Sequence, residues 1–142
     1  MTIARLIEGR ADTVFSTTTT TPVRDAVAQL DSRRIGAMPV FDGAGVAGIF
    51  SERDVIRQLA SRGPDMLDML VGDVMTAPAI TVSTDTGVLE ALGLMTRRRV
   101  RHLPVLRDGK FVAFISIGDL VKYRIDHIST EAEALRSYIQ MA

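Results

Sequence analysis

The spacing of apolar residues changes along the chain from helical to strand-like, and the same series of changes then recurs. Over 22–34, Val23, Ala26, Val27 and Leu30 fall at helical spacing, with Pro22 at the first turn. Two short apolar runs follow, 37–41 and 46–50, and Asp42-Gly43-Ala44-Gly45 between them predicts a β-hairpin. A second helix is expected from Ser51, carrying Val55, Ile56 and Leu59. Further on, Val88, Leu89, Leu92 and Met95 form another helical stripe. Strands over 102–106 and 110–115 flank Arg107-Asp108-Gly109, and a helix from Ser116 carries Leu120 and Val121. A short extended segment precedes each first helix, around Val14-Phe15 and Ile80-Thr81-Val82.

A shift of 65 residues superposes 22–56 on 87–121 without a gap, with eight identities in 35 positions, among them Pro39-Val40 on Pro104-Val105, Ser51 on Ser116 and Asp54 on Asp119. Each copy reads β-α-β-β-α. A single copy buries too little apolar surface to stand alone, so the two are expected to pack sheet to sheet, helices outside, around one core. The expected class is α+β, a sandwich-like pair of repeats related by a pseudo-twofold axis. The expected segments are a first unit over 1–61 with an N-terminal helix at 2–8, a linker over 62–76, a second unit over 77–128 and a C-terminal helix over 129–142. That last helix carries Ala134, Leu135, Tyr138, Ile139 and Met141, a stripe needing a partner surface on the module or across a dimer.

Composition narrows the chemistry. The 17 basic and 17 acidic residues balance, so no global field draws the chain to nucleic acid or to an anionic membrane. The absence of cysteine excludes disulfides, thiolate metal sites and cysteine nucleophiles, and two histidines 25 residues apart make a poor metal centre. No apolar run approaches a membrane span, and the N-terminus lacks a signal-peptide core, so a soluble, cytoplasmic protein is expected. No nucleophile–base pair and no Gly-rich phosphate loop speaks for an enzyme.

The ordered set Met38-Pro39-Val40 with Gly48-Ile49-Phe50-Ser51-Glu52-Arg53-Asp54, repeated as Arg101-His102-Leu103-Pro104-Val105 with Ala113-Phe114-Ile115-Ser116-Ile117-Gly118-Asp119, resembles the CBS-domain family. The step Val74-Met75-Thr76 into the second copy is similar to that family too. The resemblance covers about 10–125 and leaves no enzyme domain over, as in a stand-alone pair. It implies a non-catalytic regulatory module, a homodimer, and two clefts for AMP, ADP, ATP, NAD or S-adenosylmethionine, with no catalytic cofactor and a regulated partner protein left unnamed. It also implies that Asp54 and Asp119 meet ribose hydroxyls. Residues just before the Leu-Pro-Val step of one repeat would then reach phosphates in the cleft of the other.

The residues bear on this directly. Ser51-x-x-Asp54 and Ser116-x-x-Asp119 are also capping boxes, sufficient in themselves to satisfy helix N–H groups, and the two roles can coexist. A carboxylate accepts both hydrogens of a cis-diol, and a helix N-terminus favours phosphate. Arg97–Arg99 read mainly as a solvated helix end, whereas Arg101 and His102 introduce cations where the first copy has Gly36 and Ala37. The clefts are therefore expected to differ. One holds Ser51, Asp54, Arg101 and His102, with adenine against Ile80, Val82 and Leu103. The other holds Ser116, Asp119, Gly36 and Ala37, with Phe15, Thr17 and Met38 for the base and Arg53 as its nearest cation. Ordinary core packing also explains the apolar members. A structural dimerisation module with the Ser-x-x-Asp pairs acting only as caps stays open, while one arginine run without interleaved aromatics argues against nucleic acid.

Overall fold

The structure, a computed structural model, describes residues 1–10 and 13–141. The first repeat comprises β1 (Thr17–Thr18), α2 (Val23–Arg33), β2 (Ala37–Asp42), β3 (Gly45–Ser51) and α3 (Glu52–Arg62), preceded by α1 (Ile3–Ile7). A 3-10 turn (Gly63–Asp68) and α4 (Val71–Val74) lead to the second repeat. There β4 (Val82–Ser83), α5 (Val88–Arg98), β5 (His102–Arg107), β6 (Lys110–Ser116) and α6 (Ile117–Met141) follow. Each repeat holds a three-stranded sheet, ordered β1-β2-β3 or β4-β5-β6, with a parallel pair and then an antiparallel hairpin.

The strand that opens each repeat lies later than the sequence suggests, at Thr17–Thr18 and at Val82–Ser83, and is two residues long. Proline explains this. Pro39 and Pro104 have no N–H to give, and β1 and β4 pair only beyond them, with Val40-Phe41 and Val105-Leu106. The first-repeat and second-repeat helices α2 and α5 both end on an arginine in the left-handed region, Arg34 at φ 54° and Arg99 at φ 53°.

Two cores form rather than the one expected. Val23, Ala26, Leu30, Met38, Val40 and Phe50 of the first repeat close over Met66, Val71 and Val74. Val82, Val88, Ala91, Met95, Leu103, Val105, Ile115 and Leu120 of the second close over Ile3 and Leu6. The N-terminal helix thus belongs to the core of the second repeat, not to a unit spanning 1–61. The segment leading into each repeat completes the other. Val23 N–H donates to the Met69 carbonyl (2.8 Å) and Val71 N–H to that of Thr21 (2.8 Å); Val88 N–H donates to Met1 (3.2 Å) and Ile3 N–H to Thr86 (2.9 Å). Each cap supplies large apolar side chains that the short helix-and-sheet unit lacks.

The halves meet where β3 lies beside β6, and Phe41 packs edge-to-face on Phe111 with centroids 5.0 Å apart. The separate C-terminal helix over 129–142 is not seen as such: α6 runs unbroken from Ile117 to Met141. Past Gly118 it contains neither glycine nor proline, and Thr130 Oγ, in place of opening a new helix, donates back to the Asp126 carbonyl (2.9 Å).

Candidate functional site

Ser51 ends β3 in extended backbone and caps α3, so its side chain and the first turn of the helix share one spot. Ser51 N–H donates to Asp54 Oδ2 (2.9 Å), Ser51 Oγ donates to the same oxygen (3.2 Å), and Asp54 N–H donates to Ser51 Oγ (3.4 Å). The capping box is therefore formed. Thr76, in the segment leading to the second repeat, donates its hydroxyl to Asp54 Oδ1 (2.8 Å), while Arg57 Nη1 stands 3.9 Å from that oxygen. Asp54 is only 3% exposed, a buried carboxylate with its charge answered on both oxygens.

A cavity of about 470 Å³ opens beside it. Its first-repeat wall includes Gly36, Ser51, Glu52, Arg53 and Arg57, and its second-repeat wall Arg98, Arg99, Val100, Arg101 and His102. Five guanidinium groups against the carboxylates of Glu52 and Asp54 leave the space cationic. Arg53 Nη1 crosses to the Arg99 carbonyl (3.0 Å), tying α3 to the end of α5. His102 stacks on Phe114, centroids 5.4 Å apart and 11° between planes. Burial pushes its pKa below the usual imidazole value, with neighbouring Arg101 acting in the same sense and Asp119 and Glu52 opposing.

The Asp119 side differs. Ser116 N–H donates to Asp119 Oδ2 (2.8 Å) and Asp119 N–H to Ser116 Oγ (3.1 Å), so this capping box forms as well. In place of a threonine hydroxyl, the Arg10 guanidinium lies 3.6 Å from Asp119 Oδ2, and the carboxylate side chain is 34% exposed. A smaller space of about 300 Å³ beside it is lined by Arg10, Lys122, Tyr123 and Asp126.

Ser51, Asp54, Arg101 and His102 thus come together as the sequence suggests. Gly36 and Arg53 are corrections: both line the Asp54 cavity and not the space beside Asp119, because the antiparallel pairing of β2 with β3 sets Ala37 opposite Ser51 and so puts the start of β2 beside the start of α3 within the first repeat. Glu52 N–H donates to the Gly36 carbonyl (3.0 Å), which fixes that contact. Val82, Leu103, Ala37 and Met38 are buried, Leu103 and Met38 within the two cores, so packing accounts for them. Ile80 lies half-buried against the second core. Phe15 packs on the first core beneath the Arg33 guanidinium (4.4 Å to the ring centroid), and Thr17 is buried in β1. None of Phe15, Thr17, Ala37 and Met38 lines the space beside Asp119. Sequence reasoning missed Thr76 and Arg57, and treated Arg98 and Arg99 as solvated. The signal for Arg57 was its helical spacing from Asp54; for Thr76 there was only the Val74-Met75-Thr76 step.

The family description "CBS domain" matches residues 11–61 and 71–126, most of the chain and both repeats. The chain belongs to the CBS-domain family. Among CBS-domain relatives, the mitochondrial protein CBSX3 of Arabidopsis thaliana is 38% identical over 128 residues, 87% of this chain and 62% of that protein. A protein described as a signal-transduction protein with CBS domains, from Burkholderia ambifaria, is 37% identical with a TM-score of 0.82, covering 89% of this chain and 95% of that one. At lower identity the CBS-pair fold is shared with CBSX2, solved in complex with AMP (22%, TM-score 0.71, covering 88% and 97%). It is shared too with the CBS domain pair of MJ0100, solved with 5′-methylthioadenosine and S-adenosyl-L-methionine (17%, TM-score 0.75, covering 89% and 98%). This chain spans 62%, 47% and 24% of the first three curated relatives it matches. Among the described residues, no helix is long and apolar enough to cross a membrane and no cluster of metal-ligating side chains occurs.

Proposed function

We propose that the Asp54 cleft binds a phosphorylated adenosine compound, AMP or a larger adenine nucleotide with NAD included, and that the chain acts as a regulatory module without catalysis of its own. One observation carries this reading: arginines from both repeats converge on a cavity whose floor is the Ser51–Asp54 helix start. A ribose diol needs a carboxylate and a phosphate needs fixed cations, and here Arg98, Arg99 and Arg101 come from the repeat that does not supply Asp54. The ligand would therefore tie the repeats together, favouring whichever relative placement of the two best fits it. Relatives of the same fold solved with AMP, or with S-adenosyl-L-methionine and 5′-methylthioadenosine, support an adenosine group in such a cleft.

A second reading, an interaction module with no physiological nucleotide, draws on the fully formed capping boxes at Ser51 and Ser116, which give both aspartates a structural purpose. Calorimetry with AMP, ADP, ATP, NAD and S-adenosylmethionine separates the two. The expected result is sub-millimolar binding of at least one phosphorylated compound, weakened tenfold or more by Asp54→Asn and much less by Asp119→Asn. Asparagine is chosen because it keeps an acceptor for Ser51 N–H. Absence of sub-millimolar binding to any compound would sink the nucleotide reading, and equal losses in the two variants would contradict a site centred on Asp54.

A further inference from the structure

The distal half of α6 is a helix without a partner. Leu120 is its one buried residue among those described, and nothing from Val121 to Met141 is buried. Isolated helices of that length are marginal in water, and this one displays Ile125, Ile128, Leu135 and Ile139 to solvent, each between 46% and 63% exposed. Their arrangement is specific. Val121, Ile125, Ile128, Ala132, Leu135 and Ile139 are spaced 4, 3, 4, 3 and 4 residues apart, the period of a coiled-coil seam, with Ile125, Ala132 and Ile139 at a and Val121, Ile128 and Leu135 at d. The seam lies about a third of a turn round the helix from the face, Leu120 and Tyr123, that packs on the second core. It is free to take a second helix while α6 stays docked.

We propose that this seam pairs with the same seam of a second copy of the chain, in parallel, as a short two-stranded coiled coil. Charge decides the direction. In a parallel pair Glu131 at g faces Arg136 at e of the other copy, an attractive contact, and Arg124 faces the neutral Ser129. With the seams fully overlapped in the antiparallel sense, Glu131 faces its own copy and Lys122 faces Arg136, so like charges meet three times. Glu131 already accepts from His127 Nε2 (3.1 Å), and a carboxylate has acceptor sites left for the second cation. The contact is isologous and closes at two chains.

Because the chain has no cysteine, single substitutions report the pairing in the full-length protein. Ala132→Cys places two thiols in one a layer, within disulfide reach of each other. Mild oxidation is expected to convert most of this variant to a covalent dimer on a non-reducing gel, while Glu133→Cys, pointing away from the seam, stays monomeric. Three outcomes overturn the proposal. Ala132→Cys fails to cross-link; it cross-links no more than Glu133→Cys; or the disulfide forms only when Ala132→Cys is mixed with Ile128→Cys, as an antiparallel pair requires.

Discussion

The Asp54 carboxylate accepts from Ser51 N–H, Ser51 Oγ and Thr76 Oγ, which fills three of its roughly four acceptor positions. A diol brings two donors, so a ribose bound as proposed would displace one of the two hydroxyls. Ser51-x-x-Asp54 was legible as a motif with two roles, of which the structure forms the capping box. Thr76 was not legible as a partner because it lies 22 residues away across a linker, and only the fold brings it to Oδ1. His102 gives a second test at this scale. Burial holds its folded pKa below the unfolded value of about 6.5, so between the two the unfolded chain binds a proton that the folded chain does not. Stability contributed by neutral His102 is therefore complete above about pH 6.5 and is lost as pH falls toward the folded pKa. Denaturant midpoints measured from pH 7.5 to 5 are expected to fall more for the wild type than for His102→Gln. Parallel curves would mean that the imidazole is not held neutral.

At the scale of elements, the exchanged leading segments matter most. The segment before β4 runs along β3, with Ile49 N–H donating to the Thr76 carbonyl and Thr76 N–H to that of Ile49, both 2.9 Å. Gly48 permits this approach: a Cβ there would stand 2.6 Å from the Thr76 carbonyl oxygen and 2.9 Å from Met75 Sδ. The second repeat has Ala113 at the matching position, and no such bridge forms at Phe114 among the described residues. Gly48→Ala should therefore cost roughly 1–3 kcal/mol by overpacking, lowering the melting temperature by several degrees. Gly43→Ala, with open space around it, serves as the control. Equal melting temperatures for the two would contradict the close-packed leader. The hairpins and the helices α2, α3 and α5 were readable from periodicity and turn residues. The exchange was not, because Met1-Thr2-Ile3 matches Met69-Leu70-Val71 at a shift of 68, while the rest of the repeat matches at 65. The separate helix expected over 129–142 is instead a continuation of α6, in which Thr130 bonds back to the Asp126 carbonyl.

For the whole molecule, the two repeats keep separate cores and meet at the β3–β6 contact, at Phe41 on Phe111 and at the Arg53 bond to Arg99. Such a seam is where a ligand has leverage, since contacts made to both halves at once favour one placement of them. Arg101 and His102 marked the cationic wall of the Asp54 cavity in the sequence, whereas Gly36 and Ala37 did not mark the other side, Gly36 lining the Asp54 cavity as well. Only the fold shows that the space beside Asp54 is the larger of the two and that the Asp119 carboxylate is met by Arg10. The central claim is that the second repeat supplies a phosphate site to the sugar site of the first. It is tested most directly by titrating AMP and adenosine calorimetrically into the wild type and Arg101→Ala. Loss of AMP affinity by tenfold or more in the variant, with adenosine changed less than twofold, is the expected result. Equal losses for the two ligands, or none for AMP, would contradict it.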